Sequence, residues 1–420
     1  MRMHKIELLS DLTPRAGRDK FYTLTALCSI HKCFFEKYAC YNNPSQNGFL
    51  SRVSSRIEKA GISIGKQYGL HGIHYKKLIL GNKYKNTVIE ITPTVLCSLS
   101  PKVAKFIIEN YTVIFSDIPE SGLRFMHLDI IKKIAVGDIK PRQVYILGSD
   151  YTDYSFDNVN VKYVNVNIWP LIVVCQDSIL SQCTWDLQVR QQVIKQIEQT
   201  SKHFAISLNK KPRPHRVELL AQLDNKNLLH HVAWSLYFKE YPGGSQSVIG
   251  QWKNNLLNII NDQTNCHIHN FLKKYPLPRK IDCVEKICKG LNAPLSSEYI
   301  GKFNWNIVTE TYNDFIDTPF GLYSHITEKS YKSFYMGAMP MIVGTAGIEQ
   351  HLRNQGFWLP NNNYDHLNGR ERVNAVVDAV EYRLHNTQSY NTQCIKNFKH
   401  AIDFDWICSQ VVDPLLLIVP

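Results

Sequence analysis

The sequence contains no long hydrophobic run. None of its 420 residues belongs to a stretch of about 18 apolar residues, the length that a membrane-spanning helix requires. The opening segment MRMHKIELLSDLTPRAGRDK has no apolar core typical of a secretory signal peptide, and neither low-complexity tracts nor internal repeats occur. These absences favour a globular cytoplasmic protein without a membrane partner.

Acidic residues are fewer than basic ones. The chain has 36 Asp and Glu against 48 Lys and Arg, which leaves a formal net charge of +12. Net charge bears on association rather than on fold. The excess of positive charge favours a polyanionic partner such as nucleic acid or an anionic membrane, or else a basic face that serves a phosphorylated small molecule.

Paired Cys-x-x-Cys motifs are missing, although the chain has 11 cysteines. An odd number of scattered cysteines, mostly inside apolar runs, indicates reduced, buried thiols of an intracellular protein. A zinc site formed by Cys266, His269, Cys283 and Cys288 is the weaker alternative, because its spacing lacks the paired knuckles. The acidic triplet DFD at 403 to 405 is interpreted as a helix or loop element, and we predict no metal site.

Strand-like and helix-like segments alternate along the first half of the chain. Apolar β-rich runs lie at about 88 to 96, 111 to 117 and 143 to 150, and a segment with helical spacing lies at 122 to 137. Such a βαβ rhythm is typical of an open, mostly parallel sheet flanked by helices.

A second alternating series starts after a charged helical stretch at 187 to 202. Two successive series predict an α/β protein with two doubly wound domains and a ligand in the cleft between them. The predicted domains cover residues 1–190 and 191–385. We expect residues 386–420 to form a helical segment that packs back on the first domain.

The segment SLNKKPRPHR places cations at a helix start. A strand ends at Asn209, and a helix opens at the second proline with Arg213 and Arg216 in its first turn. Cations are disfavoured at that end of a helix, whereas its unpaired N–H groups and the arginines both attract phosphate. An anionic ligand would remove the conflict. The alternative is that Arg216 pairs with a surface acid such as Glu218.

The segment ITEKSYK repeats this arrangement. Thr327 can cap a helix, Glu328 lies in its first turn, and Lys329 and Lys332 can share a face. A carboxylate that binds two ribose hydroxyls beside an ammonium that binds a diphosphate would suit a sugar nucleotide; the alternative is a well-capped surface helix. The apolar strand MPMIVGT that follows ends in a glycine-containing loop, and ligands of open α/β sheets bind at that end.

The same motifs resemble a known family. HITEKSYKSFYMGAMPMIVGT resembles the signature of fucosyltransferase-type glycosyltransferases, and FAISLNKKPRPHRVELLAQL resembles the strand, Asn, loop, Arg and helix of that family. Together with GIEQHLRNQGF and NNYDHLNGRERVNAVVDAV, the order resembles a group of glycosyltransferases of phages and large viruses. The resemblance covers about residues 202 to 385. In the first half, only VIFSDIPESG is similar to an Asp-x-x-Glu-Gly element, with Ser121 interposed.

The resemblance implies a GT-B glycosyltransferase in which two Rossmann-like domains face a cleft. Such an enzyme needs no metal or cofactor, binds a donor such as a UDP- or GDP-sugar in the second domain, and binds its acceptor in the first. Arg216 and Lys329 would neutralise the donor diphosphate, Glu328 would bind the ribose, and Glu310 in VTETY would face the donor. The predicted donor-binding residues are Asn209, Arg213, Arg216, Glu310, Thr327, Glu328, Lys329 and Lys332.

The acceptor side is less constrained by the sequence. An inverting transferase needs a base for the acceptor hydroxyl, and the candidates in the first half are Glu120, which we rank first, Asp117, His71 and His74. The net positive charge and the phage-like resemblance favour a hydroxymethylated base in duplex DNA as the acceptor. A glycan or lipid-linked saccharide is the alternative, and a non-catalytic nucleic-acid-binding protein with a degenerate transferase fold is a further one. The sequence leaves the sugar, the nucleotide and the oligomeric state open.

Overall fold

A computed structural model describes most of the second half of the chain and parts of the first. The described residues are 5–6, 8–10, 44–59, 63–64, 68–69, 88–91, 100–116, 129–151, 156, 158–198, 202–209, 213–236, 266–275, 299–310, 325–386 and 388–418. The chain divides into two compact units. The first unit combines Met1–Trp185 with Asp403–Pro420, and the second unit is Asp186–Ile402.

The first unit is built on parallel strands. In its described part, a six-stranded sheet has the order β4-β2-β5-β6-β7-β8, and β1 pairs with β3 in a separate ladder, every pair being parallel. The strands are β1 (Lys5–Ile6), β2 (Leu8–Ser10), β3 (Ser63–Ile64), β4 (Tyr68–Gly69), β5 (Val88–Ile91), β6 (Thr112–Ser116), β7 (Gln143–Gly148) and β8 (Val161–Asn165). The helices are α1 (Pro44–Lys59), α2 (Pro101–Asn110), α3 (Asp129–Ala135), α4 (Trp169–Gln176), α5 (Ser178–Cys183) and, from the end of the chain, α13 (Phe404–Leu416).

The core of the first unit explains the near-continuous apolar strands in this half of the sequence. All four residues of β5 are buried, as expected where helices cover both faces of a parallel sheet. Ile89 and Phe115 pack in one cluster with Ile107 and Ile108 of α2. That helix starts where the sequence provides a serine cap, since the Ser100 hydroxyl accepts a hydrogen bond from a backbone N–H in the first turn.

The second unit has its own parallel sheet. In the described residues, four parallel strands have the order β10-β9-β11-β12. The strands are β9 (His203–Asn209), β10 (Val232–Leu236), β11 (Phe303–Thr309) and β12 (Met339–Val343). The helices are α6 (Leu187–Glu198), α7 (Pro214–Asn225), α8 (Cys266–Lys274), α9 (Glu328–Met336), α10 (Ile348–Asn354), α11 (Gly369–His385) and α12 (Asn391–Ala401).

The strand register places the site-bearing ends of these strands together. Trp305, the third residue of β11, pairs with Ala205 of β9 on one side and with Met339 of β12 on the other. Because all three strands run the same way, their carboxyl ends lie at one edge of the sheet. The α/β class and the two parallel, Rossmann-like units predicted from the sequence are confirmed. The segment GQWKNNLLNIIND at 250 to 262, whose spacing predicts a further helix, lies outside the described residues.

The fold shows the surroundings of the cysteines and of the DFD triplet, and the lengths of the helices. Within the described ranges, Cys175, Cys183, Cys394 and Cys408 are buried. Cys266 is exposed at the first position of α8, a helix that buries Ile268 and Phe271. The carboxylate of Asp403 in the DFD triplet accepts a hydrogen bond from the Trp406 N–H, as a helix cap does. Of the helices in the described residues, none is long and apolar enough to cross a membrane.

Candidate functional site

The candidate site lies at the carboxyl ends of β9 and β11 in the second unit. Asn209, the last residue of β9, is buried and joins neighbouring strands. Its side-chain oxygen accepts from the Thr309 hydroxyl at 2.6 Å, and its backbone N–H donates to the Ser235 hydroxyl at 3.2 Å. Its amide also donates to the Ser207 hydroxyl at 3.1 Å. Asn209 therefore holds the ends of β9, β10 and β11 in place.

Helix α7 begins beside these strand ends with three basic side chains. Arg213 is the N-cap residue, with extended backbone angles, and Pro214 occupies the first helical position, where its missing N–H costs nothing. Arg216 is 3% exposed, and its Nη2 lies 3.5 Å from the carbonyl oxygen of Glu310. His215 is also buried, and its Nε2 lies 3.0 Å from the same oxygen. The first turn of α7 contains no acidic residue.

The environment of His215 shows where the positive charges converge. Burial lowers the pKa of His215 well below its ordinary value, and the charges of Arg216, Arg213 and Lys329 lower it further, against the opposing hydrogen bond to Glu310. His215 is consequently neutral at pH 7, and its Nε2–H donates to the Glu310 carbonyl. Since cations from two helices act on one imidazole, the starts of α7 and α9 bring positive charge to the same place.

Helix α9 begins as the sequence predicts, with Thr327 as its N-cap. The Thr327 hydroxyl accepts from the Lys329 backbone N–H at 3.4 Å and from the Lys329 ammonium at 2.9 Å. The carboxylate of Glu310, fully buried, accepts from the Thr327 N–H at 3.2 Å, from the Ser330 N–H at 3.3 Å and from the Ser330 hydroxyl at 2.6 Å. The Thr327 hydroxyl donates to the other oxygen of Glu310. A buried carboxylate thus anchors the start of α9.

Glu328 supplies a second carboxylate, which lies beside an ammonium group. Its Oε1 lies 3.4 Å from the Lys329 ammonium, and the Lys329 side chain is 27% exposed. Burial raises the pKa of Glu328, but the positive charges of Lys329 and Lys332 outweigh this effect and lower it to about 2. Glu328 is therefore ionised throughout the physiological range.

The described residues include every predicted donor-binding residue, and all of them lie in the second unit. Arg216 lies 3.5 Å from the Glu310 carbonyl, and the charges of Arg213, Arg216 and Lys329 all lower the pKa of His215. Glu310 was expected to face the donor, whereas its carboxylate binds Thr327 and Ser330. The candidate bases Glu120, Asp117, His71 and His74 lie outside the described residues.

The alternative partner for Arg216, Glu218, is not a surface acid. Glu218 is fully buried. Its Oε1 lies 3.0 Å from Nε2 of His267, accepts from Gln222 at 2.6 Å and is 3.7 Å from Nε of Arg370. Glu218 therefore belongs to a contact between α7, α8 and α11.

Sequence reasoning did not select two residues of the site, His215 and Ser330. His215 stands between the two arginines in RPHR, a position that could have marked it as part of the cationic helix start. Ser330 is the third residue of α9, where a hydroxyl follows the Thr cap. What the sequence could not show is that both side chains bind Glu310, which is 95 residues away from His215 and 20 from Ser330.

A second polar cluster surrounds the start of α10, after β12. Gly347 caps this helix with a φ of +80°, a left-handed conformation that favours glycine. The carboxylate of Asp365 accepts from the N–H groups of Glu349 at 3.0 Å and Gln350 at 2.8 Å. Fully buried Arg372 lies 3.2 Å from Asp365 and donates to the Ile342 carbonyl at 2.8 Å. This cluster fixes the loop at the end of β12.

Among the described residues, no group of three His, Cys, Asp or Glu side chains could hold a metal ion. Of the residues weighed as a zinc site, Cys266 and His269 are described and both are exposed, whereas Cys283 and Cys288 are not described. Positive charge at the candidate site comes from Arg213, Arg216, Lys329 and Lys332.

Comparisons with known proteins give only distant likenesses. No protein-family model matches the chain, and no curated protein matches its sequence. Among solved structures, the N-terminal domain of trehalose-6-phosphate phosphatase from Candida albicans is 12% identical with a TM-score of 0.42, over 98% of this chain and 97% of that one. The α,α-trehalose 6-phosphate synthase of Burkholderia multivorans is 13% identical with a TM-score of 0.40, over 95% and 81%. A glycosyltransferase from Rickettsia africae is 11% identical with a TM-score of 0.39, over 100% and 98%.

Identities and TM-scores at this level establish neither a shared family nor a shared reaction. The structural class of the protein is therefore taken from its own fold and from the geometry of its candidate site. The chain is an α/β protein of two parallel-sheet units, and its second unit carries a cationic candidate site at the carboxyl ends of its strands.

Proposed function

We propose that the chain is a glycosyltransferase that takes its sugar from a nucleotide-sugar donor. The observation that carries the proposal is that Glu310 lies between two helix starts that bear cations. Its carbonyl oxygen lies 3.5 Å from Nη2 of Arg216, and its carboxylate accepts from the Thr327 hydroxyl, which in turn lies 2.9 Å from the Lys329 ammonium. A diphosphate fits such a place because helix N–H groups and side-chain cations both favour it. The ordered resemblance of the surrounding motifs to fucosyltransferase-type enzymes, with their GT-B fold, supports the same assignment.

In this proposal the cations stabilise the leaving diphosphate. The acceptor hydroxyl attacks the anomeric carbon of the donor, the bond to the diphosphate breaks, and the hydroxyl proton passes to a base. Negative charge grows on the diphosphate oxygens, and positive groups already in place can contribute several kcal/mol to the transition state. Lys329, with a partly exposed side chain, would contact the oxygens directly, and buried Arg216 would act behind it.

Glu328 is proposed to bind the ribose of the donor. Its pKa of about 2 keeps it ionised, so both oxygens act as acceptors. Two adjacent hydroxyls of a ribose can donate to one carboxylate, while the neighbouring Lys329 ammonium meets the phosphate. Asn209 would support the site by holding the strand ends rather than by touching the donor.

For the acceptor, we propose a hydroxymethylated base in duplex DNA, with a glycan as the second candidate. The net charge of +12 is the observation that favours DNA. Glu120 remains our first choice for the base, ahead of Asp117, His71 and His74.

The proposal is tested first by nucleotide binding. Wild-type protein is titrated by calorimetry with UDP, GDP, UMP, GMP, uridine and guanosine in the presence of EDTA. We expect one nucleoside diphosphate to bind more tightly than its monophosphate and far more tightly than its nucleoside, because the phosphates meet the cations. Absence of binding by any diphosphate would contradict the assignment.

Metal independence is tested in the same setting. Sugar release from the preferred nucleotide sugar is followed with and without excess EDTA. We expect equal rates, since side-chain cations take the place of a divalent ion in this proposal. A loss of activity that added Mg²⁺ or Mn²⁺ restores would show that the leaving group is stabilised by a metal.

A further inference from the structure

Glu310 joins four elements at the candidate site. Its N–H donates to the Val343 carbonyl of β12 at 2.9 Å, which continues the ladder beyond the end of β11. Its carbonyl oxygen faces His215 and Arg216 of α7 at 3.0 and 3.5 Å. Its carboxylate accepts from Thr327 and Ser330 at the start of α9.

We propose that Glu310 is a positioning residue that sets the spacing between the two cationic helix starts. One residue contacts α7 through its carbonyl and α9 through its carboxylate, so the distance between Arg216 and Lys329 depends on it. The identity of the ligand that uses this spacing, a nucleoside diphosphate, rests on the proposed function. Glu310 itself does not touch the donor in this proposal, in contrast to the expectation from sequence.

The contacts explain why this position needs a glutamate. Its two oxygens accept from two N–H groups and two hydroxyls, and a glutamine would replace one acceptor oxygen by a donor. An aspartate would be shorter by one methylene. The side chain is also confined, because a Cβ built on Gly344 would lie 3.4 Å from both Cβ and Cγ of Glu310.

The inference is tested by comparing Glu310→Gln with Asp365→Asn. Both changes remove a carboxylate charge that caps a helix of the second unit, but Asp365 caps α10 rather than α9. Each variant is titrated with the preferred nucleoside diphosphate and with its nucleoside. We expect Glu310→Gln to weaken diphosphate binding at least tenfold and to leave nucleoside binding unchanged, and Asp365→Asn to change neither.

Hydrogen exchange provides a readout that does not depend on any nucleotide. Glu310→Gln is expected to speed amide exchange at 327–330, where the carboxylate accepts from two N–H groups. It should also speed exchange at 215–217, because a shift of the Glu310 backbone would move the carbonyl that faces His215 and Arg216. Asp365→Asn should speed exchange only at the start of α10. Ser330→Ala is a milder variant, which removes one donor to Glu310 without changing charge. It should speed exchange at the start of α9 alone.

The outcomes separate the two hypotheses. If the wild-type protein binds no nucleoside diphosphate, the proposed function fails, while the exchange experiment still decides the role of Glu310. Unchanged exchange at either helix start in Glu310→Gln would overturn the positioning role, because Glu310 would then not couple α7 to α9. An equal loss of nucleoside and diphosphate affinity would also overturn it, because Glu310 would then contact the ligand directly.

Discussion

The Lys329 and Arg216 side chains differ in solvent exposure, since Lys329 is partly exposed and Arg216 is buried. The Lys329 ammonium lies between the Thr327 hydroxyl at 2.9 Å and the Glu328 carboxylate at 3.4 Å, at the edge of solvent. Arg216 is buried under the Glu310 carbonyl. A ligand can draw Lys329 toward itself, whereas Arg216 is fixed in advance and acts through its charge.

Removing either cation should weaken the diphosphate site. We expect Lys329→Ala and Arg216→Ala each to reduce affinity for the nucleoside diphosphate and to lower the transfer rate, by about 2 to 4 kcal/mol of transition-state stabilisation. Lys226→Ala is the matched control, because Lys226 lies in the same unit and pairs with Asp378 and Glu381 on the surface. Calorimetry and initial rates measure the effects. Diphosphate affinity that survives in both site variants would place the donor elsewhere.

Glu349 is a buried carboxylate with an unusual titration. Burial raises its pKa to about 7, despite the opposing charge of Arg372 and with a further rise from Asp365. The polar groups that face it include Arg353, at 3.4 Å, and Asn362. Because its folded-state pKa lies above the ordinary value of 4.5, the folded state holds this proton more tightly than the unfolded state does.

The free energy of unfolding should fall as the pH rises, because the folded state releases the Glu349 proton only at the higher pKa. The contribution of Glu349 to stability is fully present below about pH 4.5 and is lost as the pH rises through about 7, with a total of about 3 kcal/mol. We expect Glu349→Gln to flatten the fall in the free energy of unfolding between pH 5 and pH 8. Urea titrations across this range measure it, with Glu371→Gln, an exposed carboxylate of α11, as the control. An unchanged slope in Glu349→Gln would contradict the assigned shift.

At the scale of elements, two helix starts of the second unit, those of α9 and α10, are held by a carboxylate from another segment. Glu310 after β11 anchors α9, and Asp365 anchors α10. Such caps satisfy N–H groups that a helix leaves unpaired at its start. The positions of these helices therefore depend on loops distant in sequence as well as on their own residues.

The end of α9 is set by a glycine in close contact. Gly337 has a φ of +67°, and a Cβ built on it would lie 2.4 Å from Cγ1 of Ile197 in α6. We expect Gly337→Ala to lower the free energy of unfolding by about 2 to 4 kcal/mol, from left-handed strain together with overpacking. The overpacking arises because α9 lies close to Ile197 of α6.

Gly137 provides the control for this substitution. It has a φ of +83°, and its built Cβ meets nothing within 4 Å. Gly137→Ala should thus cost only the strain, about 1 to 2 kcal/mol. Denaturant titrations of both variants measure the difference. Equal costs at the two positions would mean that α6 shifts freely and that the contact does not constrain α9.

At the scale of the whole molecule, the net charge of +12 governs association with polyanions. If duplex DNA is the acceptor, the affinity should fall steeply with salt, with a slope of about −0.9 in log K against log salt for each phosphate contacted. Transfer is measured to hydroxymethylated duplex DNA, unmodified DNA and simple saccharides at low and high salt. Activity confined to saccharides and insensitive to salt would overturn the DNA acceptor and leave the transferase assignment intact.

The sequence by itself determined the α/β class and the positions of many elements. Strand-like apolar runs located β9 and β12, and the ITEKSYK segment located α9. The Thr327 cap and the proline at the start of α7 are also evident in the sequence. These features depend on neighbours a few residues apart, so a local pattern is sufficient to predict them.

The tertiary structure decided what those elements do together. The strand order β10-β9-β11-β12, the neutral state of His215 and the double contact of Glu310 with α7 and α9 arise from residues far apart in sequence. Arg216 and Glu310, for example, are separated by 94 residues. The sequence marked Glu310 as an acid near the donor motif, but only burial and hydrogen bonding assigned its carboxylate to a helix start. Ionisation and contact depend on the surrounding atoms in space, and a linear pattern does not specify those surroundings.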